Sequence, residues 1–423
     1  ALTANQIKAL STAQVKALRD DQVAALTTAQ IAAFSAAQLG AIDARQRQMC
    51  IRDRFGAINA ASISGLTTEQ INALGSDQID GFTAAQLVKL SSAQINALTD
   101  EAFGELGSTQ IGALNITQLA GVSTNKIQSI NSAQIAGLTA TQIKALSSDQ
   151  VVALESQQFA KLTTSQLAAF TATQIANIEV ADLNDLANAS SSALRSLSAT
   201  QIGGLTTDQI QDLDEATIGL LTSAQASGLK TSQIAALTAT QIDNLATALI
   251  SVLTAKQLSS IETDDLRQMT SAQIGAINAQ NLSGVTTAQI AALTTTQTEG
   301  LSAKQIAALS ANQINAIGLE TLGTAQVAAF SVTALPNLST YQITRLGTDQ
   351  VRALTAAQIK ALTTAQVEAL TSNQVEALTT VQLAALSATQ LGAVDPGDLD
   401  GLKSSQFGAI NAASISGLTT EQI

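Results

Sequence analysis

Residues 2–41 read, in groups of eight, LTANQIKA, LSTAQVKA, LRDDQVAA, LTTAQIAA and FSAAQLGA. In this octad the first, or lead, position is apolar and the second is usually Thr or Ser. The fifth position is Gln, the sixth is Ile, Val or Leu, and the eighth is Ala or Gly. The pattern runs from Leu2 to Leu418, with one phase shift after Leu194 and a compensating shift after Ile317. A repeat this short predicts stacked repeating units rather than independent globular domains.

The spacing of the apolar residues argues against the two simplest regular structures. A strand would need alternation of apolar and polar residues, which the octad lacks. In one continuous helix, eight residues at about 100° each would leave a rotation of about 80° per octad, so the Leu and Ile positions would not form a stripe. Each octad therefore has to form a short element of its own.

The first octad carries both signals of a helix N-terminus. Thr3 and Gln6 have the spacing of a capping box, in which each residue satisfies the backbone N–H of the other. Leu2 and Ile7 flank this box as the two halves of a hydrophobic staple. Because each new cap ends the preceding helix, we expect helices of about six residues, roughly 9 Å long. We predict an all-α solenoid of very short capped helices, one per 8-residue repeat. It should form a single domain over residues 1–423 that is irregular at 45–54, 187–197, 317–322 and 330–338.

The other octad positions have distinct expected environments. The lead and sixth side chains should point inward, the small eighth residue permits close backbone approach, and the fourth and seventh residues should face water. Pro396 follows a cap residue and suits the first helical position, whereas Pro336 is expected in an irregular segment. Phe residues that occupy lead or sixth positions are expected in the core: Phe34, Phe82, Phe170 and Phe330 at the lead, and Phe55, Phe159 and Phe407 at the sixth.

Composition argues against several classes of function. The chain has no His, which is the commonest general base and metal ligand, and its single Cys is Cys50. The net charge of −12 offers no basic footprint for nucleic acid. No apolar run approaches the roughly 20 residues of a membrane span. We therefore predict a protein that is not an enzyme, with no catalytic, cofactor-binding or metal-binding residues, no nucleic-acid partner and no membrane span.

Residues 45–54, RQRQMCIRDR, keep the octad phase but lose its chemistry. The string resembles translated sequencing-adapter sequence, and the alternative interpretation is a basic surface insertion. A second unusual feature is that FGAINAASISGLTTEQI occurs both at 55–71 and at 407–423. Identity over this length suggests a recent duplication or an overlap.

Two weak patterns remain as candidate sites. Asp395, Asp398 and Asp400 could begin a calcium loop, although a helix cap and turn is the favoured interpretation. Four asparagines begin N-x-S/T sequences, which makes glycan attachment conceivable in a chain rich in Ser and Thr. They are Asn115, Asn188, Asn281 and Asn337.

The octad consensus, as in LTTAQIAAF at residues 26–34, resembles the octapeptide repeat tracts of large bacterial surface and secreted proteins. These tracts belong to adhesin-like or filament-forming chains, many of them metagenomic. The resemblance implies an extracellular or cell-surface location and a structural subunit of a filament, sheath or stalk that assembles by repeat stacking. The alternatives are a surface adhesin whose Thr array binds glycan or ice, and a cytoplasmic scaffold. We also expect a native chain longer than 423 residues, or one that joins others end to end.

Overall fold

The computed structural model describes residues 2–43, 54–79 and 81–423, so most of the predicted irregular segment 45–54 lies outside the described residues. The chain divides into two compact units, Ala1–Leu213 and Asp214–Ile423. Within the described residues every regular element is a helix and none is a strand. The predicted all-α fold with one short helix per octad is confirmed, whereas the single run of octads over 1–423 stays a prediction.

In the first unit the α-helices are four to six residues long, with one exception of ten residues. They span Ala4–Ala9, Thr12–Lys16, Asp20–Ala24, Thr28–Ile31, Ala36–Ala41, Thr68–Asn72, Ser76–Ile79, Ala84–Leu87, Ser92–Asn96, Asp100–Gly104, Ser108–Ala113, Ile116–Ala120, Thr124–Gln128, Ser132–Gly137, Ala140–Ala145, Ser148–Val152, Ser156–Phe159, Thr164–Leu167, Ala172–Ile175, Val180–Ala189, Ser191–Arg195, Ala199–Ile202 and Thr207–Asp212. Short 3₁₀ helices span Phe55–Ala57 and Ile63–Gly65.

In the second unit the α-helices are again four to six residues long. They span Glu215–Gly219, Ser223–Ala226, Thr231–Ala235, Ala239–Asp243, Thr247–Ile250, Ala255–Leu258, Thr263–Leu266, Ser271–Ala276, Thr287–Ala291, Thr295–Glu299, Ala303–Ala308, Ala311–Ala316, Thr324–Val327, Thr340–Thr344, Thr348–Ala353, Ala356–Ala361, Thr364–Glu368, Ser372–Ala377, Thr380–Ala385, Ala388–Leu391, Pro396–Leu399, Ser404–Phe407 and Ala412–Ile415. The 3₁₀ helices are Ala279–Gly284, Leu319–Thr321 and Leu335–Asn337.

The caps form where the sequence predicts them. In the octad that begins at Leu138, Thr139 has an extended backbone, with φ −75° and ψ 158°, and is the N-cap of the helix Ala140–Ala145. The Thr139 N–H donates to Gln142 Oε1 at 2.7 Å, and the Gln142 N–H donates to Thr139 Oγ1 at 3.3 Å. The predicted capping box is therefore present, and the extended cap residue turns the chain from one helix into the next.

Within each unit the octads stack in turns. A helix packs against the third element that follows it along the chain, as Ser108–Ala113 does against Ser132–Gly137, and Thr348–Ala353 against Ser372–Ala377. Residues that meet across turns are 25 to 31 positions apart, so one turn takes three to four octads. At the eighth position Gly137 lies so close to the preceding turn that an added Cβ would stand 2.5 Å from the carbonyl oxygen of Ser108. The predicted close backbone approach is confirmed there.

The core of each unit consists of the lead and sixth side chains. Ile143 at a sixth position is fully buried, and Leu146 at a lead position is 4% exposed. Six of the seven Phe residues placed in the core are buried, but Phe407 is 39% exposed. The prediction for Phe407 is wrong for the described residues, none of which forms a later turn that packs over this side chain.

The first phase shift is absorbed by a longer helix that begins earlier than predicted. Val180–Ala189 has ten residues and buries Leu183, Leu186 and Ala187 on one side. Leu186 thus lies inside a helix, and Leu194 occupies a sixth position rather than a lead. The first phase shift inserts three residues into the octad pattern. These residues therefore lie near the end of this helix, ahead of most of the predicted irregular segment 187–197.

Two of the other segments expected to be irregular contain 3₁₀ helices. The second shift removes three residues, and residues 317–322 form only the short 3₁₀ helix Leu319–Thr321. Pro336 lies in the 3₁₀ helix Leu335–Asn337, inside the predicted irregular segment 330–338. Pro396 begins the helix Pro396–Leu399 after the N-cap Asp395, as expected for a residue without an N–H at the first helical position.

Candidate functional site: the rungs between turns

The fifth-position side chain, usually Gln, joins successive turns in most octads. We call the fifth-position side chain of any octad its rung. The Oε1 atom of Gln142 accepts the cap N–H within its own octad. Its Nε2 atom donates to three carbonyl oxygens of the preceding turn, those of Ile111 at 3.2 Å, Gly112 at 3.2 Å and Leu114 at 2.7 Å. One side chain therefore caps its own helix and holds that helix to the turn before it.

The same geometry recurs through both units. The Nε2 atom donates to the carbonyls of the residues 31 and 28 positions earlier, a sixth and a lead residue. Most rungs are buried; Gln142 is 3% exposed and Gln366 is 1% exposed. Because a buried amide or carbonyl without a partner costs about 1–3 kcal/mol, this arrangement satisfies both the side chain and the main chain of the preceding turn.

The phase shifts lengthen or shorten this register by three residues. After the helix Val180–Ala189, Gln201 donates to carbonyls 34 and 31 positions earlier. After the short segment 317–322, Gln326 donates to carbonyls 28 and 25 positions earlier. The rungs therefore adjust to an insertion or a deletion without losing either acceptor.

The rungs of the first turn have no carbonyl acceptor in another turn among the described residues. Gln6, Gln14 and Gln22 are exposed, and within the described residues none of their Nε2 atoms donates to another turn. Their Oε1 atoms still accept the cap N–H, at 2.7 Å in the case of Thr3 and Gln6. These three residues separate the capping role of the Gln from its role between turns.

Several octads carry another residue at the fifth position, and some of these keep the bond to the preceding turn. Asn281 Nδ2 donates to the Leu253 carbonyl at 2.8 Å, and Ser414 Oγ donates to the Leu386 carbonyl at 2.7 Å. Thr217 does not, because its hydroxyl is buried without a hydrogen-bond partner in the described chain. A shorter side chain can thus serve as a rung when it carries a donor that reaches the lead carbonyl.

Lys126 is a rung with a charge. Its side chain is 5% exposed, and its Nζ atom lies 2.5 Å from Asp100 Oδ1 and 5.8 Å from the centroid of the Phe103 ring. The ammonium group is therefore paired across turns instead of being left alone in the core. Removal of Asp100 would leave that charge buried and unpaired, which is the costly arrangement for an ion.

Three rungs are acidic: Asp182, Asp265 and Asp398. Asp182 is 4% exposed and accepts a 2.5 Å hydrogen bond from Ser156 Oγ. Burial raises the pKa of Asp182 above its ordinary range, and the charges of Glu179 and Asp185 add to this, while the Ser156 hydrogen bond opposes it. Burial also raises the pKa of Asp265, with Glu262 and Asp264 acting in the same direction.

Asp395, the first residue of the weak calcium candidate, is a helix cap in the structure. Asp395 Oδ1 accepts the Gly397 N–H at 2.9 Å as the N-cap of Pro396–Leu399, and Asp398 is buried in a rung position. Among the residues that the structure describes, no group of three His, Cys, Asp or Glu side chains is arranged to hold a metal ion. Likewise, none of the described helices is long and apolar enough to cross a membrane.

The four asparagines of the N-x-S/T sequences differ in their surroundings. Asn115 is an N-cap whose side chain accepts the Gln118 N–H at 2.9 Å, and Asn281 is the rung described above. Asn188 is exposed near the end of the ten-residue helix, and Asn337 is exposed with its Nδ2 donating to Thr333 O. Within the described chain, Asn188 and Asn337 are exposed and neither caps a helix nor bonds to another turn through its side chain, so they are the better placed of the four for a glycan, which stays a prediction.

Comparison with known families identifies the repeat but no activity. A family model described as the ALTTAQ repeat matches residues 1–28, 127–164, 175–215, 258–295, 319–356 and 346–380, nearly half of the chain. The sequence ALTTAQ itself occurs at 25–30 and at 361–366. No curated protein matches the chain. The matched segments confirm the predicted repeat tract.

Proposed function

We propose that the chain is a structural subunit of an extracellular bacterial filament, sheath or stalk that assembles by stacking of octad turns. The observation that carries this proposal is the rung, because its hydrogen bonds serve to hold one turn to the next. The polar groups buried in the core are largely committed to this task, and the acidic side chains discussed above act as caps or rungs.

The contact between turns has two different sides. One side presents the Nε2 donors of the rungs, and the other presents the lead and sixth carbonyls that accept from them. Such a heterologous contact propagates in one direction when it joins separate copies. In the first turn the amides of Gln6, Gln14 and Gln22 are exposed, and Gln22 lines an apolar hollow of about 250 Å³ together with Leu2, Ile7 and Leu18. That surface has the chemistry with which one turn receives another.

The test uses Gln→Glu substitutions, because Glu can accept the cap N–H but cannot donate to a carbonyl. The triple variant Gln6→Glu, Gln14→Glu, Gln22→Glu should keep its circular dichroism spectrum and lose end-to-end association. Light scattering at high concentration measures the association, and negative-stain microscopy shows whether the particles are filaments.

A matched control adds three charges at exposed positions of the same helices, with Asn5→Glu, Thr12→Glu and Ala13→Glu. The control should associate as the wild type does. A wild-type chain that stays monomeric at high concentration, or a triple variant that associates normally, would contradict the filament proposal. Immunogold labelling of intact producing cells tests the proposed extracellular location.

The second candidate is an adhesin that uses a Thr surface to bind glycan or ice. Exposed Thr residues such as Thr355, Thr364 and Thr371 favour it. Against it, cap hydroxyls already accept backbone N–H groups, as in the bond from Gln358 N to Thr355 Oγ1. Charged Lys360 and Glu368 also interrupt the surface. Glycan-array binding by a chain that remains monomeric would place this candidate ahead of the filament.

A further inference from the structure

Two of the acidic rungs lie where the repeat elsewhere places a hydrogen-bond donor. The preceding rung, Gln174, donates to the carbonyls 31 and 28 positions earlier. In that register the Val151 and Leu154 carbonyls lie in the turn before Asp182 at the positions where a rung finds its acceptors. Gln257 and Gln273 flank Asp265 with the same spacing. The corresponding acceptors for Asp265 are the Ile234 and Leu237 carbonyls. A neutral carboxyl group can donate one hydrogen bond there, whereas a carboxylate can only accept.

We propose that Asp182 and Asp265, one in each compact unit, are pH-sensitive rungs that hold successive turns together when protonated and loosen them when ionised. Ionisation replaces a donor by a charge that faces carbonyl oxygens of the preceding turn. The interaction changes from attraction to repulsion, and its cost is increased by burial.

Asp182 has few compensating charges around it. Its own helix carries Glu179 as N-cap and Asp185. The helix Ser156–Phe159, which packs against it, contributes the Ser156 hydroxyl and has Glu155 as its N-cap. The neighbouring helix Ser191–Arg195 carries Arg195. Ser156 donates one hydrogen bond to the Asp182 carboxyl group. The charged residues named on the helix of Ser156 and on the helix of Asp182 are all acidic.

Asp265 is half-buried rather than buried, but the charges around it are similar. Its own octad carries Glu262 as N-cap, Asp264 and Arg267, and Arg267 lies 3.9 Å from Asp264. The helix Ala239–Asp243, which packs against Thr263–Leu266, ends in Asp243, and the helix Thr287–Ala291 on its other side has no charged residue. Arg267 therefore pairs with the exposed Asp264 carboxylate rather than with Asp265.

The direction of the pH effect follows from the raised pKa values of both groups. Between the ordinary Asp range near pH 3.9 and the higher folded value, the folded chain holds a proton that the unfolded chain has released. Each rung therefore contributes its full stability below the ordinary Asp range. That contribution is lost as the pH rises through the folded pKa, and neutral pH leaves the rung in its weaker state.

Asp182→Asn and Asp265→Asn test the proposal in the full chain, because Asn281 shows that Asn at this position donates to the lead carbonyl. At pH 7.5 each variant should melt higher than the wild type by roughly 2–4 °C, a shift typical of one modest contact in a unit of this size. Below pH 4 the difference should vanish. Hydrogen exchange within 151–159 and 180–189 should slow for Asp182→Asn at pH 7.5 and not at low pH.

The controls are Asp212→Asn and Asp400→Asn, one in each unit, which remove exposed charges from other octads. They correct for the change in net charge, and neither should show a pH-dependent difference of this size. A shift in the Asp182→Asn variant that is the same at both pH values, or a lower melting temperature at pH 7.5, would overturn the proposal. The same result for both rungs would exclude a cause peculiar to one octad.

Discussion

At the scale of single residues, the fifth-position Gln explains more of the structure than the sequence pattern predicts. The capping half of its role follows from spacing, and Thr3 with Gln6 shows it as expected. The half that joins turns was missed because a capping box accepts Glu as readily as Gln. The available signal is that the fifth position carries Gln in most octads and Glu in none. The preference for Gln over Glu indicates that a donor as well as an acceptor is favoured at this position.

Gln142→Glu separates these two roles. The cap bond should survive, but the bonds to Ile111 and Leu114 should be lost and a carboxylate should face two buried carbonyls. An uncompensated buried charge costs about 3–5 kcal/mol, so we expect a loss of that order in the free energy of unfolding at pH 7. Urea titration followed by circular dichroism measures it.

Gln14→Glu is the matched control, because Gln14 is exposed and has only the cap bond, from Ser11 N at 2.8 Å. Its cost should stay within about 0.5 kcal/mol. Similar losses for the two variants would show that the cap, rather than the bond between turns, carries the stability. Only the comparison of a buried rung with an exposed one can make that distinction.

At the scale of elements, each helix is too short to be stable by itself. Helices below about 12 residues are marginal in water, and these have four to six. Their start points are predictable because cap and staple residues are local signals, whereas the helix Val180–Ala189 was not predictable from the phase alone. Leu183, Leu186 and Ala187 fit one face of a longer helix as well as they fit octad positions, and packing against neighbouring turns decides between the two.

Gly137→Ala tests the close approach of neighbouring elements. An added Cβ would stand 2.5 Å from Ser108 O and 2.8 Å from Ser108 Cβ, so the two turns would have to separate. Overpacking of this kind costs about 1–3 kcal/mol. A lower melting temperature, measured by calorimetry, is the expected result.

Gly104→Ala provides the opposite case, because nothing lies within 4 Å of its added Cβ. Alanine is favoured over glycine in a helix by about 0.5–1 kcal/mol, so this variant should melt higher than the wild type. If both variants shift in the same direction, helix propensity rather than contact between turns decides the effect of replacing a helical Gly by Ala.

At the scale of the whole molecule, stability in each unit is a sum of contacts between neighbouring turns. Rungs connect residues 28 and 31 positions apart and reach no farther in regular octads. The number of octads per turn could not be predicted from sequence, since the eight-residue period fixes spacing along the chain but not which octads meet across turns. That number depends on the bend at each cap residue, which is a property of backbone angles such as ψ 158° at Thr139.

A solenoid of this kind should respond locally to damage, and Gln366→Glu tests this within the second unit. Gln366 Nε2 donates to the Leu335 and Leu338 carbonyls, both at 2.8 Å. Loss of these two hydrogen bonds should increase hydrogen exchange in 331–344 and 360–370. Amides at 222–262 should keep their protection, because repeat proteins transmit destabilisation mainly to nearest neighbours.

Glu368→Gln, on the exposed side of the same helix, is the control and should leave both regions unchanged. Uniform loss of protection from 214 to 423 in the Gln366→Glu variant would mean that the unit unfolds as one cooperative body. In that case the rungs would act through the whole unit rather than between adjacent turns. Loss of protection confined to 331–344 and 360–370 would instead mean that each turn is held chiefly by its rungs to the neighbouring turns. Turns of separate copies could then join through the same bonds that join the turns of one chain.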